Sequence, residues 1–260
     1  MNPLFVYLVT FPRRKEALPS LYISKLPNIN EAAKMKIVLR NKFLSIQRFN
    51  RYLLATGNNN IRAKRLYAAN IRLAQAFHPL LSQFEVVLRN SLNTVLTTHF
   101  ADYDWVINQK NGFMSHHSLA SSHYFLRSSV QKTENKLRHR LIPVTAGRII
   151  SDQVFGFWLA FFIPHHYALV GGQPIYAFPY KPATENRASI HQKLEHIKNF
   201  RNRMNHCEPL CFNGNGIDCT QALVMYSMLY DLIRWIDPGL ETYFKRIDNV
   251  IAKATQIMQI

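Results

Sequence analysis

One short stretch of the chain, Arg201-Asn202-Arg203-Met204-Asn205-His206, brings together side chains that could carry out chemistry. It continues a helical pattern of apolar residues at steps of three and four, formed by Ile190, Leu194, Ile197, Phe200 and Met204. Asn202 and His206 are four residues apart and share one helical face, whereas Arg201 is turned about 100° from Asn202. Pro209 and the turn at 213–216 predict that the helix ends just after His206. The sequence therefore predicts a guanidinium, an amide and an imidazole gathered at a helix end, with almost no carboxylates around them.

This grouping suits RNA cleavage that needs no metal and no cofactor. An imidazole can move a proton, and a fixed guanidinium can hold phosphate oxygens and the negative charge that builds on them. We therefore expect His206 to act as general base or acid, Arg201 to hold the phosphate and Asn202 to orient the backbone or the substrate. Lys198 and Arg203 are candidates for further phosphate contacts. The alternative is a non-catalytic RNA-binding or protein-binding module, because Arg/His pairs in helices are usually structural.

The charge of the chain points to a polyanionic partner. Its 260 residues hold 32 Lys and Arg against 15 Asp and Glu, a formal net charge of +17. Nucleic acid is the first candidate, and the 12 Tyr and 17 Phe also offer surfaces on which bases could stack. Anionic lipid, or no polyanion at all, is the alternative. The apolar fraction of 48% is enough for a full core and excludes a disordered chain.

Helical periodicity dominates the chain, and no strand pattern persists, so we expect an all-α fold. Residues 1–38 hold scattered prolines and predict an irregular appendage, and residues 39–260 predict one helical domain. A helix is expected from about Glu31 to Leu54, and another from Ile61 to about Phe100 that Pro79 kinks or breaks. Residues 164–183 predict a long loop over the site, and Thr220 to Trp235 predict a late helix.

Glu85, Arg89 and Asn90 lie within the apolar pattern of the 61–100 helix. Glu85 precedes Arg89 by four residues, the favoured order for an ion pair along a helix, so a purely structural pair is the simpler interpretation. The functional interpretation is that Arg89 and Asn90 support the Arg201/His206 site or contact the substrate.

A second basic element is predicted between Ser118 and Leu141. Its outward face would hold Arg127, Lys132, Lys136, Arg138 and Arg140. Such a face suits an RNA backbone, but an ordinary solvated helix surface has the same appearance. The sequence leaves the two interpretations open.

Cys207, Cys211 and Cys219 follow His206 closely. The odd number argues against a disulfide framework, and no CxxC pair is present, so reduced cysteines are favoured over a zinc site. No apolar run reaches the length of a membrane span, and the N-terminal run lacks the charge order of a secretory signal. We therefore expect a cytoplasmic protein with no membrane partner.

Three stretches of the chain form a recognisable set: Phe84-Glu85-Val86-Val87-Leu88-Arg89-Asn90, Phe155-Gly156-Phe157-Trp158, and Arg201-Asn202-x3-His206 followed by Cys207-Glu208-Pro209-Leu210. Together they resemble the Abi-like (abortive infection) branch of the HEPN superfamily, and the resemblance covers about residues 44–240. It implies a HEPN-like helical bundle and a homodimer in which two motifs line one basic cleft. It also implies a metal-independent endoribonuclease of bacterial anti-phage abortive infection or toxin–antitoxin defence, with an antitoxin as a further partner.

One position departs from that pattern. Toxins of the superfamily that are controlled by nucleotidyltransferase antitoxins have Tyr two residues after the motif histidine, and here that residue is Glu208. Control by that route is therefore in doubt. Glu208 could instead polarise His206, contact the substrate or bond to nearby backbone.

Overall fold

The computed structural model describes residue 39 and residues 42–260. The chain divides into two compact units, Met1–Arg48 and Phe49–Ile260, and the second holds all of the elements discussed for the site. The appendage predicted for residues 1–38, and the helix start predicted near Glu31, lie outside the described residues. The domain boundary at residue 38 therefore stays a prediction.

The described chain is all-α, as predicted. Besides the helical residues 39, 42 and 43, the described residues hold eleven α-helices with defined bounds: α1 Ile46–Ala55, α2 Asn60–Phe100, α3 Trp105–Asn108, α4 Phe125–His139, α5 Ala146–Asp152, α6 Phe155–Ala160, α7 Pro164–Leu169, α8 Arg187–Asn205, α9 Thr220–Ile236, α10 Leu240–Lys245 and α11 Val250–Met258. Three 3₁₀ helices lie at Phe113–Ser115, His117–Ser122 and Gln173–Ala177. The one sheet in this part of the chain is a two-residue hairpin that pairs β1 Phe212–Asn213 with β2 Gly216–Ile217.

Helix α2 is the long central element of this unit. It begins with Asn59, whose side chain accepts hydrogen bonds from the backbone N–H groups of Ile61 and Arg62, and it continues without a break through Pro79. Of the two predicted alternatives, one continuous helix is therefore confirmed and a break at Pro79 is not. A proline removes one backbone hydrogen bond, and the apolar side chains buried on both sides of it, Phe77, Leu80, Leu81 and Phe84, hold the helix in register.

Other boundaries also differ from the predictions. Helix α1 begins at Ile46, because Ser45 has a positive φ of 62° that a right-handed helix excludes. The segment 164–183 contains helix α7 and a 3₁₀ turn rather than a continuous loop. Helix α9 matches its prediction within one residue.

The core forms where α2 meets the shorter helices. Phe77 packs edge-on against Phe200 of α8 with ring centroids 4.7 Å apart, and Phe84 lies 6.2 Å from Phe155 of α6. Trp158 and Phe157 of α6 are fully buried. The aromatic run 155–158 is therefore core, and α6 contacts α2, α4 and α8. No helix in the described part of the chain is long and apolar enough to cross a membrane.

Candidate functional site

Helix α8 begins and ends with defined caps, which fix the register of the motif. At its start Asn186 accepts hydrogen bonds from the N–H groups of Ala188 and Ser189, while the Ser189 hydroxyl accepts one from the Asn186 N–H. This reciprocal capping box satisfies backbone donors that would otherwise have no partner. The buried face of the helix is the predicted one, comprising Ile190, Leu194, Ile197, Phe200 and Met204.

The C-terminal end of α8 is a Schellman motif built on Cys207. His206 is the capping residue, Cys207 takes a left-handed conformation with φ of 56°, and the Glu208 N–H donates to the Arg203 carbonyl at 2.9 Å. The Cys207 N–H donates to the Met204 carbonyl, also at 2.9 Å. The predicted helix end is therefore confirmed, and it leaves both Asn202 and His206 exposed.

Backbone geometry shows that the helix is regular up to His206. The His206 N–H donates to the Asn202 carbonyl at 2.9 Å, as in an unbent α-helix. Five residues of regular helix turn His206 about 140° from Arg201 around the axis. One copy of the helix therefore presents Arg201 and His206 on different sides.

Arg201 is held by a carboxylate from α2. Its Nη2 lies 2.9 Å from Oε2 of Glu85, and the side chains of Arg201 and Glu85 are 32% and 16% exposed. The expectation of almost no carboxylates around the motif is therefore wrong at Arg201. The pairing leaves about a third of the Arg201 side chain open to solvent, so its free N–H groups can still meet an anion.

The same contact overturns the predicted pair within α2. Glu85 reaches across to α8 instead of pairing with Arg89 one turn along its own helix. Arg89 is half-buried, and its Nε is a buried donor with no hydrogen-bond partner in the described part of the chain, while Asn90 is exposed. Contact of Arg89 or Asn90 with a substrate stays a prediction.

The remaining predicted phosphate contacts on and after α8 already have carboxylate partners. Lys198 Nζ lies 2.5 Å from Oε1 of Glu195. Arg203 Nε lies 3.2 Å from Oε2 of Glu208, and its Nη2 donates to the Pro209 carbonyl at 3.3 Å. The Glu208 carboxylate therefore pairs with Arg203 at the end of the helix. An incoming phosphate would compete with carboxylates for Lys198 and Arg203.

A buried asparagine that the sequence did not single out anchors the segment after the motif. Asn70 of α2 is 5% exposed, and its Oδ1 accepts a 2.7 Å hydrogen bond from the Leu210 N–H. An isolated polar residue within an apolar helical stripe was the available signal. Three contacts therefore hold the C-terminal part of α8 and the segment after it against α2. They are this hydrogen bond, the Phe77–Phe200 ring contact and the Glu85–Arg201 ion pair.

The three cysteines are not equivalent. Cys207 is exposed, whereas Cys211 and Cys219, at the two ends of the hairpin, are buried. Burial raises the pKa of the Cys211 thiol to about 12 and that of the Cys219 thiol to about 11. No group of three or more His, Cys, Asp or Glu side chains within the described residues is arranged to hold a metal ion.

Searches of protein-family models, of curated proteins and of solved structures return no match to this chain.

Proposed function

We propose that this protein is a metal-independent endoribonuclease. The observation that carries the proposal is the fixed and partly exposed guanidinium of Arg201, 2.9 Å from Glu85, on the same helix that ends at the exposed His206. A guanidinium held by a carboxylate loses little further freedom when it binds the charged transition state. The net charge of +17 supports a polyanionic substrate.

The proposed reaction uses only the substrate's own nucleophile. His206 accepts the proton of a ribose 2′-hydroxyl, and the 2′-oxygen forms a bond to the adjacent phosphorus. The bond from phosphorus to the 5′-oxygen breaks, and that oxygen takes a proton from a protonated imidazole. Arg201 stabilises the negative charge on the phosphoryl oxygens, and Asn202 orients the RNA backbone. The products are a 2′,3′-cyclic phosphate and a 5′-hydroxyl.

Dimerisation supplies the geometry that one chain lacks. Within a regular helix, Arg201 and His206 lie about 140° apart, so one copy does not direct both side chains at one phosphate. A two-fold axis near the end of α8 would let Arg201 of one protomer and His206 of the other face the same cleft. The resemblance to HEPN proteins favours this arrangement. We therefore propose a homodimer in which both copies contribute to each site.

The proposed setting is bacterial anti-phage defence, either abortive infection or a toxin–antitoxin pair, in the cytoplasm. It rests on the Abi-like HEPN resemblance of the motif and of the stretches at 84–90 and 155–158. In that setting an antitoxin or another neutralising partner would hold the enzyme inactive. Because Glu208 stands where a modified tyrosine would be and pairs with Arg203, control by tyrosine modification is not part of the proposal.

A non-catalytic HEPN module that binds RNA or protein is the second candidate. The observation in its favour is that Arg201 and Arg203 both pair with carboxylates, as structural arginines do. In this alternative the Glu85–Arg201 pair ties α8 to α2, and the exposed surface binds without cutting.

Cleavage of RNA by the purified protein in EDTA separates the two candidates. We expect wild type to give cyclic-phosphate ends, and Arg201→Ala and His206→Ala to give none. Arg246→Ala and His78→Ala, which remove an exposed arginine and an exposed histidine elsewhere, should cut normally. Absence of cleavage over a broad RNA panel, with RNA bound equally by wild type and both motif variants, would favour the binding module.

A further inference from the structure

A groove of about 450 Å³ lies along one face of α4. Helices α4 and α8 both contact the buried helix α6. The groove is lined by Tyr124, Arg127, Ser128, Gln131, Lys132 and Asn135. None of the described residues that line it is acidic, and each carries at least one hydrogen-bond donor group.

The acidic residues near α4 compensate other cations. Glu134, only 1% exposed, lies 2.5 Å from Lys110 and 3.8 Å from Arg138. Asp152 pairs with Lys136, which with Thr133 holds the pKa of that carboxyl below its usual value. Glu134 thus lies on the inward side of α4. Asp152 belongs to α5 and contacts Thr133 and Lys136 in the C-terminal half of α4.

Arg127 and Lys132 differ from these neighbours. Both are exposed, and neither has a carboxylate within 4 Å in the part of the chain that the structure describes. They are five residues apart, which is about 7.5 Å along the helix axis and about 140° around it, so they line the groove from its two sides. Cations at that separation can neutralise different phosphates of one strand rather than converge on a single small anion.

Two amide side chains of the groove are already ordered. Gln131 Nε2 donates to Asn135 Oδ1 at 2.9 Å, so both side chains lie along the groove. With the Tyr124 hydroxyl they offer contacts to phosphate and sugar oxygens, the contacts that position a strand without reading its sequence. The Ser128 hydroxyl already donates to the His123 carbonyl at 3.2 Å. The chemistry of the groove is therefore that of a nucleic-acid backbone site.

We infer that this groove docks the phosphodiester backbone of RNA at a place separate from the Arg201/His206 cleft. The choice of RNA rests on the proposed function, but the docking does not require cleavage. The groove adds affinity and has no part in bond breaking. An RNA bound there extends beyond the few nucleotides that the cleft itself can contact.

The test measures binding of a single-stranded RNA to the full-length protein as a function of salt, in a His206→Ala background so that no RNA is cut. Arg127→Gln/Lys132→Gln should weaken binding about tenfold at low salt and reduce the salt slope by about 0.7 for each cation lost. The matched control is Lys245→Gln/Arg246→Gln, which removes the same charge from α10 and the residue after it. Circular dichroism melts of both double variants establish that they are folded.

Equal loss of affinity in the two double variants would show an effect of net charge alone and overturn the inference, as would no loss in either. Competition by polyglutamate as strong as competition by polyphosphate of equal charge would also overturn it, and would indicate an acidic protein segment as the partner. A loss specific to the groove variant supports the inference even where wild type cuts no RNA, a result that would instead count against the proposed nuclease.

Discussion

Helices α4 and α8 both present arginine to solvent, but they hold it in different ways. Arg201 on α8 is fixed by Glu85 from another helix at 2.9 Å, whereas Arg127 on α4 has no carboxylate partner among the described residues. A fixed cation loses little freedom at a transition state, and an unpaired one gives the larger electrostatic attraction. In the proposed function, Arg201 on α8 therefore takes part in the chemistry, and Arg127 on α4 adds affinity.

After complete removal of the Arg201 or His206 side chain, the largest expected effect comes from a change that keeps the charge of Arg201. Arg201→Lys retains the cation but loses the planar fork that meets Glu85 and phosphate together. We expect cleavage to fall roughly 100-fold, in the range found for loss of a transition-state donor, while RNA affinity changes little. Single-turnover cleavage and equilibrium binding measure the two quantities, and Arg246→Lys is the control.

If Arg201→Lys lost binding and cleavage in the same proportion, Arg201 would be an affinity residue like those on α4, and the comparison would fail. A thermal melt is needed beside it. Loss of the fork leaves Glu85, which is only 16% exposed, with a weaker partner, and this can reduce stability by about 1–3 kcal/mol.

A smaller effect is expected from Glu85→Gln, which keeps the size of the side chain and removes its charge. We assign Glu85 a positioning role: without the carboxylate, the Arg201 guanidinium samples more orientations. The expected result is a kcat about tenfold lower with KM unchanged or reduced, because the net charge of the protein rises. Steady-state kinetics measure both constants.

Glu241→Gln is the matched control, since it removes a carboxylate that pairs with Lys245 and Arg234 far along the chain. A rise in KM for Glu85→Gln with kcat intact would contradict the positioning role. Partial recovery of kcat in Glu85→Asp would support it, because the shorter side chain keeps the charge.

The pH dependence of stability must be separated from that of cleavage, and a buried histidine contributes to the first. His166 of α7 is 1% exposed, both of its ring nitrogens lack hydrogen-bond partners, and burial together with neighbouring His165 lowers its pKa to about 4. As the pH falls below about 6.5, the unfolded chain takes up a proton that the folded chain does not bind until about pH 4. The free energy of unfolding should fall by roughly 3 kcal/mol over that window.

His166→Leu removes the titrating group and its unpartnered nitrogens, so we expect a flatter stability profile between pH 6.5 and 4 and no loss of stability at pH 7. Denaturant melts across that range measure it, with the exposed His78→Leu as control. An unchanged slope would mean that His166 is not the group responsible. In the His166→Leu variant, whose stability changes less with pH, the pH profile of cleavage reports the reaction rather than unfolding.

The sequence predicted what depends on local spacing. The apolar steps from Ile190 to Met204 predicted the buried face of α8, and Pro209 with the turn after it predicted where the helix ends. These signals lie within a few residues of the structure they determine.

Contacts between segments distant in the sequence could not be predicted from local spacing. Glu85 could pair with Arg89 by spacing alone, and only the packing of α8 against α2 shows that Arg201 is the partner. Pro79 left open whether α2 continues or breaks, because the proline rule is local, while the buried side chains that hold α2 together pack against other helices. The regular backbone up to His206 likewise separates His206 from Arg201 within one chain. The cluster expected from the sequence therefore needs two chains in the proposed site.

The smallest expected effect tests whether RNA reaches the end of α8 at all. Cys207 is exposed directly after His206, whereas burial raises the pKa of the Cys211 and Cys219 thiols, so one of the three thiols should react with iodoacetamide near neutral pH. RNA bound to the His206→Ala variant should slow that reaction severalfold by covering Cys207. Mass spectrometry of the labelled protein measures it. The groove variant Arg127→Gln/Lys132→Gln should lose this protection at RNA concentrations where it no longer binds, and regain it once RNA is saturating. Protection that stays absent at saturation would mean that RNA occupies α4 alone, and the division between affinity at α4 and chemistry at α8 would not hold.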